Sequence, residues 1–179
     1  LALTHSGNWD LAGAWFCQNV APIVTVAEKL DPPELFQKFT DFRQSLGMEV
    51  IGVGKDESVF AALVEQTQGR RVFVPLLADR DISGSGIEVQ LGTEKALVAA
   101  GPAALALRLD RPLVVGHVTY RRTGRWPKRR WTILIDITDP IPVPQLREGE
   151  TRVEALTRAW VRRIEPAMIA GVRDWHMMQ

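Results

Sequence analysis

From its first residue to about position 110 the chain alternates short apolar runs with longer stretches of helical periodicity, and that alternation limits the fold more than any other feature. Short runs bounded by turn residues read as buried strands, and apolar positions recurring every three to four residues read as amphipathic helices. Leu1-Ala2-Leu3-Thr4 is the first strand. A helix from Trp9 to Val20, a strand from Ile23 to Ala27 and a helix opened by Asp31-Pro32-Pro33 follow, Pro being favoured at a helix start. On that helix Leu35, Phe36, Phe39, Phe42 and Leu46 share one face, which is expected to be core. Gly47 ends it, and Met48 to Ile51 is the next strand. A loop from Gly52 to Lys55, a helix from Ser58 to Gln68 and a strand from Arg71 to Ala78 come next. Pro75 cannot donate to a ladder, so part of that strand is expected to lie off a central position. A loop through Ser83, Gly84, Ser85 and Gly86 leads to a short strand, Ile87 to Leu91, and a helix from Ala103 to Leu109.

The pattern then changes. Leu113 to Tyr120 and Trp131 to Asp136 read as the chain's only hairpin. A segment with Pro140, Pro142 and Pro144 follows, then a helix from about Thr151 that Pro166 should kink or interrupt. The class is α/β: a mostly parallel, mixed sheet with helices on both faces. At 179 residues the chain suffices for one domain, 1–179, with a real core.

The stretch richest in chemistry is His5-Ser6-Gly7-Asn8-Trp9-Asp10, a strand end, a turn and a helix start. Gly7 permits a sharp turn and Asn8 is a preferred cap. Across the turn Asp10 is expected to reach back to the His5 ring, fixing its tautomer and leaving the other nitrogen to take a proton. Free N–H groups at the helix start offer a place for an oxyanion. Ligands of open α/β sheets bind beyond the carboxyl ends of the strands. Glu28, Asp79, Arg80 and Asp81 stand past such ends with His5, giving carboxylates to orient a base and arginines to hold an anion. Arg43 sits in the last turns of the second helix, beside its core face.

Charge and composition add bounds. The net charge of +1 predicts no partner by itself. Cys17, the only cysteine, sits in an apolar helical run and reads as packing. No stretch reaches the length of a spanning helix. The chain starts without Met, inside a strand, and is expected to be a fragment lacking an N-terminal segment. Between Tyr120 and Trp131 six Arg and Lys residues interleave with aromatics. Such a turn suits an anionic membrane surface. Nucleic acid would use the same residue types, but nothing else in the chain supports it.

The blocks resemble one family in order. His5-Ser6-Gly7-Asn8-Trp9-Asp10 is similar to the HxxxxD motif of glycerolipid acyltransferases, in the form used by bacterial lipid A acyltransferases. Thr25-Val26-Ala27-Glu28-Lys29-Leu30, Phe42-Arg43-Gln44-Ser45-Leu46-Gly47, Ala78-Asp79-Arg80-Asp81, Gly86-Ile87-Glu88-Val89, Gly101-Pro102-Ala103 and Asp174-Trp175-His176-Met177-Met178-Gln179 resemble actinobacterial phosphatidylinositol mannoside acyltransferases. The resemblance implies an acyltransferase-like fold and a peripheral enzyme on the cytoplasmic face of the cell membrane. It would move a long acyl chain from acyl-CoA, its donor substrate, to a sugar hydroxyl of a membrane glycolipid, with no metal and no cofactor. His5 is then the general base, Asp79 its support with Asp10 behind, and Glu28, Arg43, Arg80 and Asp81 substrate-binding residues. Transfer is expected to be direct, without an acyl-enzyme. Alternatives are a lipid A-type acceptor, a non-catalytic lipid- or phosphate-binding relative, and a thioesterase. Two departures stand out: Asp79 replaces the Glu usual in mycobacterial members and must gain reach by backbone shift or water, and Leu91-Gly92 replaces a Phe-Phe-Gly.

Overall fold

The computed structural model describes residues 1–29, 31–54, 58–81 and 84–176, with Glu28 described by its backbone alone. Leu30, Lys55, Ser83 and the closing Met177-Met178-Gln179 therefore lie outside the described residues. In chain order the elements are β1 (Ala2–Leu3), α1 (Trp9–Asn19), β2 (Val24–Glu28), α2 (Pro33–Ser45), β3 (Glu49–Val53), α3 (Val59–Thr67), β4 (Leu76–Leu77), β5 (Ile87–Leu91), β6 (Glu94–Val98), α4 (Gly101–Arg108), β7 (Val115–Thr123), β8 (Arg130–Ile137) and α5 (Arg152–Ala170). A 3₁₀ turn, Val172–Asp174, follows.

β1 lies between β4 and β7 and is parallel to both, and β8 closes the edge antiparallel to β7. β2 and β3 form a second parallel pair. One bridge, Ile23 to Phe73, joins the two groups, with Val24 N–H donating to the Phe73 carbonyl and Phe73 N–H to the Pro22 carbonyl, each at 2.9 Å. The spatial order is thus β3-β2-β4-β1-β7-β8, a mostly parallel mixed sheet. The joint is single for a chemical reason. In a parallel ladder the next donor past Phe73 is residue 75, and Pro75 has no N–H to give. Pairing stops there, and β2 and β4 part toward their carboxyl ends. Pro75 therefore sets where the sheet opens, as well as shortening β4 to Leu76–Leu77.

Core forms on both faces because successive side chains of a strand point opposite ways. Ala2, Val115 and Leu113 join Ala103 and Ala106 of α4 with Leu156, Trp160, Val161 and Ile164 of α5 in the larger cluster. Phe16 of α1, Ile23 and Met48 form the smaller one, with Cys17, Phe73 and Ile135 against it. Cys17 is packing, as expected. α5 starts with a full capping box between Thr151 and Glu154.

Three expectations are corrected. β5 and β6 form a second hairpin, turning at Gly92 and Thr93, so β7–β8 is not the only one. The helix α5 runs through Pro166 without interruption, since its buried face, from Ala155 to Met168, packs on α4, β5 and β7 and tertiary contact outweighs one lost hydrogen bond. The α2 stripe is not core: Phe39 and Phe42 are 49% and 50% exposed, and Leu35 is exposed too. Phe36 turns inward over Gly52, where a Cβ would meet its ring at 2.7 Å, and Leu46 packs against the smaller cluster. Periodicity marks an apolar face without supplying the surface to cover it.

Candidate active site

The parallel strands bring their carboxyl ends to one edge, and the 5–10 turn crosses it. Gly7 takes φ of +57°, and a Cβ there would stand 2.6 Å from the Val118 carbonyl oxygen. Only glycine meets both conditions without strain. Asn8 caps α1, its side-chain oxygen accepting from Leu11 N–H at 2.8 Å. The turn is also pinned by the chain's other end. Gly7 N–H donates to the Asp174 carbonyl, His176 N–H to the His5 carbonyl at 2.6 Å, and Ser6 bridges Trp175.

Asp79, just past β4, is buried against His5. Its Oδ1 lies 2.6 Å from the His5 Nδ1, and its Oδ2 accepts from His5 N–H at 3.0 Å and from the Trp175 indole N–H at 2.7 Å. Burial by itself pushes the Asp79 carboxyl up, but the His5 ring, the His5 N–H and the Trp175 N–H together hold it below the usual carboxylate range. An ionised Asp79 makes His5 Nδ1 the donor, so Nε2 is the free basic nitrogen. The shorter Asp side chain reaches the ring directly.

Asp10 does not reach that ring. Its Oδ1 accepts from Arg43 Nε at 2.9 Å, fastening α1 to α2 at the mouth of the site. Arg80 is exposed on the rim. Asp81 lines the cavity, and its Oδ2 accepts from Gly84 N–H at 2.8 Å and Gly86 N–H at 2.9 Å, so its carboxylate closes the loop before β5. Glu28 ends β2 on the same edge, but its side chain lies outside the described residues.

Below His5, where β2 and β4 part, lies a cavity of about 580 Å³. Thr25 and Val26 line one side, Pro75, Leu76 and Leu77 the other, with Phe16 of α1, Leu63 of α3 and Met48, just before β3, completing the wall. The ionisable groups gather at the mouth: His5, Asp10, Arg43, Arg80 and Asp81. A largely apolar pocket with a few converging polar groups is the usual form of a small-molecule site.

Two parts of this machinery escaped the sequence reading. Trp175 fixes the carboxylate from 96 residues away. His117, buried in β7, stands behind the turn: its Nδ1 is 2.7 Å from Thr4 Oγ1 and 3.1 Å from Ser6 Oγ, and Ser6 Oγ also accepts from Val118 N–H. Thr4 and Ser6 flank His5, so this network holds the base from below. Ser6 thus points into the protein and away from the cavity. A lone His in an apolar strand gives no such signal in sequence; its partners become neighbours only through the β1–β7 pairing.

Residues 1–179 match the family model described as bacterial lipid A biosynthesis acyltransferase. The chain is 36% identical over 180 residues to a phosphatidylinositol mannoside acyltransferase of Mycolicibacterium smegmatis, covering 100% of this chain and 55% of that protein. It is 37% identical to proteins of the same name from two strains of Mycobacterium tuberculosis, covering 100% of this chain and 52% of each. The chain thus spans about half the length of these relatives.

Proposed function

The chain belongs to the bacterial lipid A biosynthesis acyltransferase family, and from that premise we propose that it carries the transfer site of a glycolipid O-acyltransferase, with acyl-CoA as donor and a mannoside of phosphatidylinositol as acceptor. The observation that carries the reading is the His5–Asp79 pair at the mouth of an apolar cavity. His5 Nε2 takes the proton of a sugar hydroxyl as its oxygen attacks the thioester carbonyl carbon. The C–O bond forms and the carbonyl oxygen takes the negative charge. Collapse breaks the C–S bond, and the proton passes from the imidazolium to the departing thiolate. Ionised Asp79 stabilises the imidazolium between the two transfers. General-base catalysis of this kind is worth ~10²–10⁴-fold.

The oxyanion has a candidate partner in the first-turn N–H groups of Trp9 and Asp10, which a helix leaves without an intrahelical acceptor. The acyl chain occupies the split between β2 and β4. Arg80, exposed on the rim, and Arg43, oriented by its ion pair with Asp10, are the cations that meet the donor's phosphates at the mouth. No protein nucleophile is called for, since Ser6 is tied to Thr4 and His117.

The test is transfer from labelled acyl-CoA, with the product read by mass spectrometry. Acylated mannoside is expected, and His5→Ala in a folded protein should lower turnover by ~10²-fold or more. Free fatty acid formed at the same rate with and without acceptor would make the protein a thioesterase. Parent-like turnover by His5→Ala would remove the base assignment.

A further inference from the structure

β7 runs parallel to β1 but far past it. Gly116 is level with Leu3, and β7 continues for seven more residues to Thr123, about 23 Å of strand. The β7–β8 tip therefore stands clear of the sheet on the same edge as His5, Asp79 and the cavity mouth. From Tyr120 to Thr132 every residue is exposed. The ribbon has no core beneath it, yet Trp126 and Trp131 are 84% and 67% exposed. Arg122 lies over the Trp131 ring, 5.2 Å from its centroid. Arg121, Arg122, Arg125, Lys128, Arg129 and Arg130 accompany them, and no Asp or Glu falls between Tyr120 and Ile135.

Two tryptophans in water have no folding reason, and six unneutralised cations call for an anionic partner. Indole favours the headgroup level of a bilayer, and clustered Lys and Arg favour anionic lipid. A second feature lies on the same edge. The starts of α2 and α3, which follow β2 and β3, expose Leu35, Val59 and Phe60, and the latter two line the cavity. Among the described residues no helix is long and apolar enough to cross a membrane. We propose that the β7–β8 tip is the docking element for an anionic bilayer and that, once seated, it turns the cavity mouth and its apolar rim toward the lipid. The inference deepens the glycolipid reading, resting on it only for where the acceptor lies. A lipid acceptor then reaches His5 from the membrane side.

The test uses the full-length protein and vesicles of phosphatidylcholine with and without phosphatidylinositol. Arg121→Ser, Arg122→Ser, Arg129→Ser and Arg130→Ser combined should weaken binding to the anionic vesicles on the order of 10²-fold at low salt and flatten the salt dependence. The unfolding midpoint should hold, because these side chains are exposed. Separately, Trp126→Phe with Trp131→Phe should lose most of the quenching that brominated lipid imposes on parent fluorescence. Binding of the Arg variant as tight as the parent's would overturn the proposal. So would Trp126 and Trp131 shielded from a water-soluble quencher without vesicles, which would mean the tip packs on protein. Tighter binding of single-stranded RNA than of vesicles would assign the tip to nucleic acid. The binding and quenching arms do not depend on acyl transfer. Transfer to a water-soluble mannoside by the Arg variant should stay at parent level, so failure of the docking proposal and failure of the activity are read separately.

Discussion

At the scale of single residues, the site depends on which oxygen of Asp79 does what. Oδ2 is occupied by two donors, His5 N–H and the Trp175 indole, so Oδ1 is committed to the His5 ring. Trp175→Phe keeps the ring and removes one donor. Turnover should fall roughly tenfold, the scale of one hydrogen bond to a charged group, with KM for acyl-CoA unchanged. An equal loss in KM would make Trp175 part of the donor pocket. Asp79→Asn should cut turnover more than Trp175→Phe, because it removes the charge that stabilises the imidazolium. Asp79→Glu, which keeps the charge, should stay active. The same carboxylate has a signature in stability. Its pKa is held below 3.8, so its contribution is present above that value and is lost as pH falls through the lowered one. Acid unfolding of Asp79→Asn should accordingly be shallower than that of the parent.

At the scale of the element, the 5–10 turn is a strand-to-helix crossing whose shape is fixed from three sides: α1, the 174–176 segment and β7. Gly7→Ala tests how tightly. The added Cβ meets a positive φ and the Val118 carbonyl together, so stability should fall by about 2 kcal/mol or more. For a chain of this size that lowers Tm by roughly 4–8 °C. Activity should fall further than stability alone accounts for, because His5 and Gly7 move together; a variant with a parent-like Tm would show that the turn can yield. The strand pair around Pro75 makes the complementary point. One residue without an N–H ends the β2–β4 ladder, and the cavity occupies the gap it leaves.

At the scale of the whole molecule, the site is held by ends of the chain that are distant in sequence, and β7 is the piece that joins them. His117 in that strand is buried, and burial pushes its pKa below the ordinary 6.5 despite the opposing pull of Asp136, Asp174 and Asp79. The unfolded chain binds that proton more readily, so stability from a neutral His117 is full above 6.5 and declines as pH falls through and below it. Between about pH 7.5 and 5.5 the urea midpoint of the parent should drop, and that of His117→Gln should drop less. Equal slopes would mean that His117 titrates as it does in the unfolded chain. This protein's sequence determined what is local. Strand-helix alternation gave a mostly parallel α/β sheet, Asn8 and Ser58 marked helix starts, Pro75 warned of a broken strand, and strand ends marked the edge where His5 and Asp79 stand. It pointed His5 toward Asp10, five residues away, because nearness along the chain was the only nearness it offered. The parallel pairing of β1 with β4 and β7 instead put Asp79 on the ring and His117 beneath it, while α2 took Asp10 through Arg43. Nor did periodicity reveal that Phe39 and Phe42 would stay in water. Propensity and pattern act over a few residues, whereas partners across a sheet are set by register and by which face finds cover, and only the folded chain decides those.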